Sequence, residues 1–215
     1  MLLKTKAFIV DRLMGYLLLT IYLFFCYLMV RITLQYIPID TDVAFLRIKQ
    51  DYVGFLHYRL AFFTHVFSAI FVLAAGCTQF SVPIRRKYPV LHRYAGWVYV
   101  VVTLFLAAPT GFVIGLYANG GLSSRIAFCL LAVLWFCFTF KAILFIKKRD
   151  FRAHQRWMFR SFALALSAIT LRAWKYLLVA LFHPKPMDVY ILVAWLGWVL
   201  NLIIAEIIIL KQRTV

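Results

Sequence analysis

The chain has 215 residues, of which 65% are hydrophobic and 14% charged, a composition too apolar for a soluble domain. Its formal net charge of +17 is of a size that also occurs in nucleic-acid-binding proteins. The basic residues, however, gather at the ends of apolar runs and form no separate basic domain. The pattern therefore predicts an integral membrane protein whose charge sets its orientation, and it argues against a nucleic-acid partner.

The N-terminal sequence MLLKTKAFIVDR places basic residues before an apolar stretch, as a secretory signal peptide does. This stretch continues well past the length of a signal-peptide core and has no clean small-x-small cleavage site after it. We therefore expect it to be retained as the first membrane span. The four cysteines, Cys26, Cys77, Cys129 and Cys137, lie in apolar runs without metal-ligand spacing, which favours buried hydrophobic residues over disulfides or metal ligands.

Hydropathy divides the chain into six apolar runs, each long enough to cross a bilayer as a helix. Polar connections separate them, among them the ANGGLSS turn and the two basic loops SVPIRRKYPVL and KKRDFRAHQ. We therefore expect an all-α integral membrane protein in which residues 1–215 form a single domain, a bundle of six helices. The expected spans are approximately 12–36, 58–80, 92–117, 123–146, 156–181 and 188–210, with a long outer loop at about 37–57.

Lysine and arginine residues are unevenly divided between the two sides of the predicted bundle. The side that holds both termini carries most of them, whereas the other side balances its few with aspartates such as Asp40, Asp42 and Asp51. The positive-inside rule places both termini in the cytoplasm, in agreement with an even number of spans. The sequence thus predicts a multi-pass protein of the inner, cytoplasmic membrane whose cytoplasmic face contacts anionic lipid headgroups. The basic residues on that face are Lys4, Lys6, Arg12, Arg85, Arg86, Lys87, Arg93, Lys147, Lys148, Arg149, Arg152, Arg156, Arg160, Lys211 and Arg213.

The two basic loops share a pattern. In each, a basic triplet, RRK or KKR, is followed after four residues by a histidine, His92 or His154. An arginine, Arg93 or Arg156, and then a tryptophan follow each histidine. This echo indicates a weak parallel repeat of helix pairs. The charge of any tight cytoplasmic loop explains the basic triplets, but it explains the histidines less well.

The motifs GCTQ, HRYAG, HQRWMFRS and TLR follow one another along the chain and begin at positions 76, 92, 154 and 170. Together they resemble the pattern of a bacterial family of predicted membrane proteins, domain of unknown function 2306. The resemblance covers the chain from about the second span onward and leaves out the first span and first loop. It implies no reaction, but it implies that five residues belong to a shared pattern: His65, His92, His154, Arg160 and Arg172.

Ionisable side chains inside a span are costly and therefore mark candidate sites. Arg172 lies eighteen residues after His154, which is five whole turns, so on one straight helix the two share a face about 27 Å apart. Between them that face carries Ser161, Ala165 and Ala168, the small residues expected where helices approach closely. The sequence thus predicts that this face of the fifth span points into the bundle.

The second span carries polar residues at both ends of one helical face, His65 in its outer part and Gln79 at its cytoplasmic end. Depth along the helices therefore predicts two polar layers inside the bundle. The outer layer contains His65 and Arg172, and the inner layer contains Gln79, His92, His154 and Glu206. Glu206, an acidic residue in the interior of a predicted span, is expected to pair with a nearby arginine: Arg93, Arg156 or Arg160.

Neutral histidine side chains on facing helices can ligate haem iron, and arginines can neutralise its propionates. His92 and His154 open helices on the same side and are the predicted axial ligands of a haem b, with His65 as a third candidate ligand. The pattern resembles the di-haem cytochromes of the b561 type, but the fourth span has no histidine. At most one haem is therefore expected, and a membrane redox protein is the leading hypothesis. The plainer alternative for His92 and His154 is helix capping or contact with lipid phosphates.

Two other functions fit the same residues. In a transporter, Arg172 with His65 would bind an anion or relay protons, and Glu206 would sense the cytoplasmic side. The paired Gly/Pro breaks of transport helices are missing from the third and sixth spans, apart from Pro109 with Gly111. Alternatively, a non-catalytic assembly factor, lipid binder or partner subunit would use the first loop and the basic face. The sequence offers no nucleophile with a base, no phosphate loop and no metal cluster, so no catalytic residue is assigned.

Overall fold

The computed structural model describes residues 2–212, with side chains from residue 13 onward except that of residue 82. Arg213 lies outside these residues, as do the side chains of Lys4, Lys6 and Arg12, so their predicted place on the basic face has no structural counterpart. Within the described range the regular secondary structure is entirely helical, with no strand. The prediction of an all-α protein is confirmed.

Ten α-helices make up most of the described chain. Five continuous helical segments are long and apolar enough to cross a membrane, and α8 with α9 supplies a sixth span when this bent pair is counted as one. The six predicted spans coincide with these segments to within about five residues at each end, the first of them with Leu13–Leu34, the apolar part of α1. The helices are α1 Leu2–Leu34, α2 Gln50–Val53, α3 Leu56–Gln79, α4 Val82–Lys87, α5 Pro89–Val101, α6 Ala108–Leu116, α7 Gly121–Lys147, α8 Phe151–Ala165, α9 Ser167–Phe182 and α10 Pro186–Lys211.

The segments that connect the spans lie at two ends of the bundle. We call the end with residues 80–88 and 148–150 the basic end, and the end with residues 35–55, 117–120 and 183–185 the opposite end. Helix α1 lies at the periphery, because Met29 is its one buried side chain among those described. The Tyr22 hydroxyl joins α1 to α3 by donating to the Leu73 carbonyl at 2.5 Å. Most of the remaining surface of α1 is apolar and exposed, as expected of a helix in contact with lipid.

The third span is not a uniform α-helix. A π-helix at Val102–Ala107 connects α5 to α6, and Pro109 lies in the first turn of α6. Proline has no N–H and its ring collides with the carbonyl one turn earlier, so the preceding turn must widen. The Thr110 hydroxyl donates to the Leu106 carbonyl at 2.5 Å and supplies one of the donors that the widened turn needs.

The fifth span is broken at Leu166, where α8 and α9 meet at 41°. The single Thr170 hydroxyl proton is shared between the Gly197 carbonyl on α10, at 2.5 Å, and the Leu166 carbonyl, at 3.1 Å, and a back-bond of the latter kind bends helices. From α10, the Asn201 amide donates to the Ala163 carbonyl at 3.0 Å and to the Thr170 hydroxyl at 2.9 Å. The prediction that His154 and Arg172 share one straight helix face is therefore wrong, because a side chain of another helix stabilises a bend between them.

The first loop is folded rather than extended. It contains a 3-10 helix at Ala44–Lys49, followed by α2, and it packs over the opposite end of the bundle. Lys49 is 2% exposed, and its Nζ donates to the Tyr117 carbonyl and to Asn119 Oδ1. The ring centroids of Phe45 and Tyr52 lie 5.7 Å and 5.4 Å from the Lys49 Nζ. Lys49 thus attaches the loop to the turn between α6 and α7.

This attachment is expected to strengthen as pH rises. Burial, together with Arg125, lowers the pKa of Lys49 from 10.5 to about 8. Below pH 8 docking of the loop buries a charged ammonium. Between pH 8 and 10.5 the docked Lys49 amine is neutral, whereas the amine of the undocked loop remains protonated. The free energy of docking therefore becomes more favourable as pH rises through this range. A neutral amine keeps two N–H donors for its two oxygens. Amide hydrogen exchange over residues 37–55, corrected for the intrinsic rate, should slow as pH rises through this window.

A Lys49→Met variant is the control for this pH effect, because its side chain has similar length and no titration. Its loop should show no pH dependence between 8 and 10.5. A wild-type loop that becomes less protected across the same range would contradict the assignment of Lys49 as the docking residue.

Candidate functional site

His92 and His154 both lie in the first turn of a helix that starts at the basic end. Pro89 opens α5, where its fixed φ suits the first helical position. Asp150 caps α8, with its carboxylate accepting from the Ala153 N–H at 2.9 Å. Each histidine is the fourth residue of its helix. His154 also acts electrostatically on His92 across the basic end.

The hydrogen bond of His154 determines its tautomer. Its Nδ1 lies 2.9 Å from the Ala142 carbonyl on α7. A carbonyl oxygen only accepts, so the proton is on Nδ1 and the Nε2 lone pair of the neutral ring is free. A histidine held in this way by a backbone carbonyl is pre-oriented to donate its Nε2 lone pair to a metal.

His92 has a buried ring nitrogen without a partner. Among the described residues, no donor or acceptor contacts its Nδ1. Its backbone carbonyl accepts from the Gln79 amide at 3.1 Å, and Gly96 leaves room for the Gln79 side chain, since a Cβ there would lie 3.0 Å from Gln79 Oε1. Gln79 therefore holds the start of α5 against α3. Buried polar atoms in proteins normally have partners, and the Nδ1 of His92 is one of four exceptions among the described residues.

Arg160 and Glu206 form a bidentate ion pair between α8 and α10. Arg160 Nε and Nη2 donate to the two carboxylate oxygens at 2.5 Å and 2.8 Å. The Arg160 guanidinium also lies 4.6 Å from the Trp157 ring centroid. The prediction that Glu206 pairs with one of three arginines is confirmed, and Arg160 is the partner. Arg93 and Arg156 form no ion pair within the described part of the chain.

At the opposite end, His65 is held in the same way as His154. Its Nδ1 donates to the Ala107 carbonyl at 2.8 Å, at the last residue of the π-helix. The ring packs against Gly111, where a Cβ would lie 3.1 Å from the imidazole. Arg172 acts electrostatically on His65, and the predicted outer layer of these two residues stays a prediction.

A buried polar network that the sequence analysis missed lies within α5, α7 and α8. The Tyr99 hydroxyl and the Ser161 hydroxyl are 2.8 Å apart, and Thr139 bonds Ser161 at 2.7 Å. Trp135 Nε1 donates to the Tyr99 hydroxyl at 3.4 Å. Tyr99, Thr139 and Ser161 are each 0% exposed. Singly they resemble ordinary span residues, so the one available signal was Ser161 on the predicted inward face.

An open apolar groove of about 520 Å³ lies between α1, α3, α8 and α10. Asn201 is its most polar lining residue, and none of the predicted site residues lines it. Among the described residues there is also no group of three histidine, cysteine, aspartate or glutamate side chains able to hold a metal ion. The candidate chemical groups at the basic end are therefore the imidazoles of His92 and His154 and the neighbouring arginines.

Comparison with known proteins agrees with this architecture. Residues 62–209 match a family described as predicted membrane protein (DUF2306). The match begins in α3 and ends in α10, so it includes His65, His92, His154, Arg160 and Arg172 and leaves out α1 and the first loop. No curated protein and no solved structure matches the chain. Since the match covers more than half of its length, the chain belongs to the DUF2306 family of predicted membrane proteins.

Proposed function

We propose that this protein is a membrane redox protein that binds one haem b between His92 and His154 at the basic end of the bundle. The observation that carries the proposal is the pair of imidazoles on the first turns of α5 and α8. His154 presents a free Nε2 lone pair because Ala142 holds its Nδ1 proton. His92 supplies the second ring, and its buried nitrogen has no partner among the described residues.

The surrounding charges suit such a cofactor. Arg93 and Arg156 follow the two histidines in sequence and form no ion pair within the described chain, so both are free to neutralise haem propionates. When bound, a haem ligated by two histidines supplies one-electron transfer. His65 does not share this iron, because it precedes Gln79 by fourteen residues on α3, about 21 Å along the helix.

We further propose that the basic end faces the cytoplasm of a bacterial cell and contacts anionic lipid headgroups in the inner membrane. By sequence, 15 of the 24 lysines and arginines belong to the loops, adjoining helix ends and termini assigned to this end, whereas the aspartates of the first loop lie at the opposite end. In this orientation the haem would exchange electrons with a donor or acceptor at the cytoplasmic side.

The absorbance spectrum tests the haem proposal. Protein purified in detergent from cells with ample haem should show a Soret band and, after reduction with dithionite, sharpened α and β bands. His92→Ala and His154→Ala should each abolish the bound haem because a bis-histidine site loses an axial ligand. His183→Asn is the matched control: His183 is exposed at the opposite end, and asparagine tolerates its left-handed backbone.

Two results would contradict the proposal. One is the absence of a Soret band in wild-type protein that elutes as a folded species. The other is a full band in both His92→Ala and His154→Ala, which would move the ligands elsewhere.

A second candidate function is the transport of an anion or a proton, and the broken fifth span favours it. Transport sites in membranes often lie where helices are interrupted. Here α8 and α9 meet at 41°, and Asn201 donates into the break. The same spectrum separates the two functions, since a transporter of this kind needs no haem.

A further inference from the structure

The opposite end of the bundle contains a cation without a counterion. Arg172 lies ten residues before the end of α9, about 15 Å along the helix, and therefore within the span. Among the described residues its hydrogen-bond acceptor is the Ala168 carbonyl, which Nη1 contacts at 2.6 Å. The ion pairs of the described chain join Arg47 to Asp42 and Arg160 to Glu206, so no carboxylate neutralises Arg172.

This arginine is not sealed inside protein. Its side chain is half-buried, and none of its nitrogens is among the buried polar atoms that lack a partner. A guanidinium carries five N–H donors, so donors remain to contact a ligand. A charged group at this depth is costly unless an opposite charge or a polar ligand accompanies it.

Two further polar groups lie on segments that pack beside α9. Ile32 and Ala168, four residues before Tyr36 and Arg172, pack against one buried cluster, and the Tyr36 ring centroid lies 5.2 Å from that of Phe62, three residues before His65 on α3. The electrostatic influence of Arg172 on His65 and Tyr36 agrees with this packing. Tyr36 is 2% exposed and accepts the Phe45 N–H at 3.3 Å, which leaves its hydroxyl proton available to donate. The folded first loop lies over this cluster, because Tyr36 packs with Leu46 and Phe62 in one buried group.

We propose that Arg172, Tyr36 and His65 form a binding site for one phosphate group at the opposite end, distinct from the imidazole pair at the basic end. The guanidinium supplies two parallel donors that match the oxygens of a phosphate, and the Tyr36 hydroxyl supplies a third. The phosphate is either that of a lipid headgroup, reached from the membrane, or a soluble phosphate, reached from outside the bundle. This site is independent of haem binding.

Thermal unfolding in non-ionic detergent tests the site. Inorganic phosphate is compared with chloride at matched ionic strength, and phosphatidylglycerol is compared in mixed micelles with a glycosyl diacylglycerol, whose headgroup contains no phosphate. Wild-type protein should unfold at higher temperature with the phosphate probe, since a ligand that binds the folded state stabilises it. A response to phosphatidylglycerol alone assigns a lipid headgroup, and a response to inorganic phosphate assigns a soluble anion.

Variants locate the response. Arg172→Gln should weaken apparent affinity roughly tenfold to a hundredfold, the loss expected for charge-assisted hydrogen bonds. Tyr36→Phe, which keeps the ring packing, should weaken it by roughly tenfold. Lys175→Gln is the matched control, because Lys175 is an exposed cation one turn further along α9 and should leave the response unchanged.

The proposal is overturned if wild-type protein responds to neither probe, which would mean that Arg172 simply extends to water. It is also overturned if Arg172→Gln and Lys175→Gln respond as wild type does. The haem spectrum of each variant, unchanged because His92 and His154 are intact, shows that the protein has folded if haem is present. Size-exclusion elution shows the same if it is not.

Discussion

Replacement of Glu206 by alanine is expected to lower the free energy of unfolding by about 2–4 kcal/mol. The Arg160 side chain is 14% exposed and donates to both carboxylate oxygens, so the substitution leaves a mostly buried guanidinium without its counter-charge. The loss stays below that of a fully enclosed pair, because the Glu206 side chain is 40% exposed. Thermal or denaturant unfolding in detergent measures the change.

The chain offers a matched control for this ion pair. Arg47 and Asp42 are 3.9 Å apart, with side chains 69% and 76% exposed, and Asp42→Ala should change stability by less than about 0.5 kcal/mol. A double variant, Arg160→Met with Glu206→Met, should recover most of the loss, because it removes both buried charges together. If Glu206→Ala and Asp42→Ala changed the free energy of unfolding equally, the bidentate pair would stabilise the protein no more than the exposed pair does.

Replacement of Gly197 by alanine is expected to destabilise the protein by about 1–3 kcal/mol. Its added Cβ would lie 2.9 Å from Leu171 Cβ and 3.1 Å from Leu171 Cα. Backbone atoms cannot rotate away, so α9 and α10 would have to separate. Separation would also weaken the bond from the Thr170 hydroxyl to the Gly197 carbonyl, 2.5 Å long, which supports the bend at Leu166. Unfolding in detergent reports the loss.

Gly15→Ala is the control for helix propensity, because a Cβ at Gly15 meets nothing within 4 Å. Alanine favours a helix interior over glycine, so this variant should be neutral or slightly more stable. If Gly197→Ala is as stable as Gly15→Ala, the close approach of α9 and α10 is not a constraint on the fold.

The positions of the spans were predictable because a bilayer admits few alternatives. A helix that crosses lipid satisfies its own backbone and needs about 20 apolar residues, so hydropathy alone locates it. The pairing of Glu206 was predictable for a related reason: a buried carboxylate needs a cation, and three arginines were within reach by topology. Which arginine forms the pair depends on helix rotation, and the sequence left that choice open.

The interruptions within spans were not fully predictable. Pro109 signals the π-helix locally, but the break at Leu166 has no proline or glycine beside it. That break is supported by Asn201 and Gly197, which belong to another helix and reach it only after α10 has packed. The buried Tyr99, Thr139 and Ser161 network is similar, since each hydroxyl becomes part of a network only through neighbours on other helices.

The sequence by itself determined that this protein is an all-helical membrane protein, where its six spans lie, and which histidines and arginines share a pattern. These conclusions rest on the lengths of apolar runs and on spacings between residues close together in the sequence. In a bilayer such local properties determine which segments span as helices. Only the tertiary structure decided that His154 points Nδ1 at Ala142, that Arg160 takes Glu206, and that Arg172 lacks a carboxylate. Those facts depend on how the helices rotate and bend against one another. Contacts between side chains distant in sequence determine both the rotation and the bending.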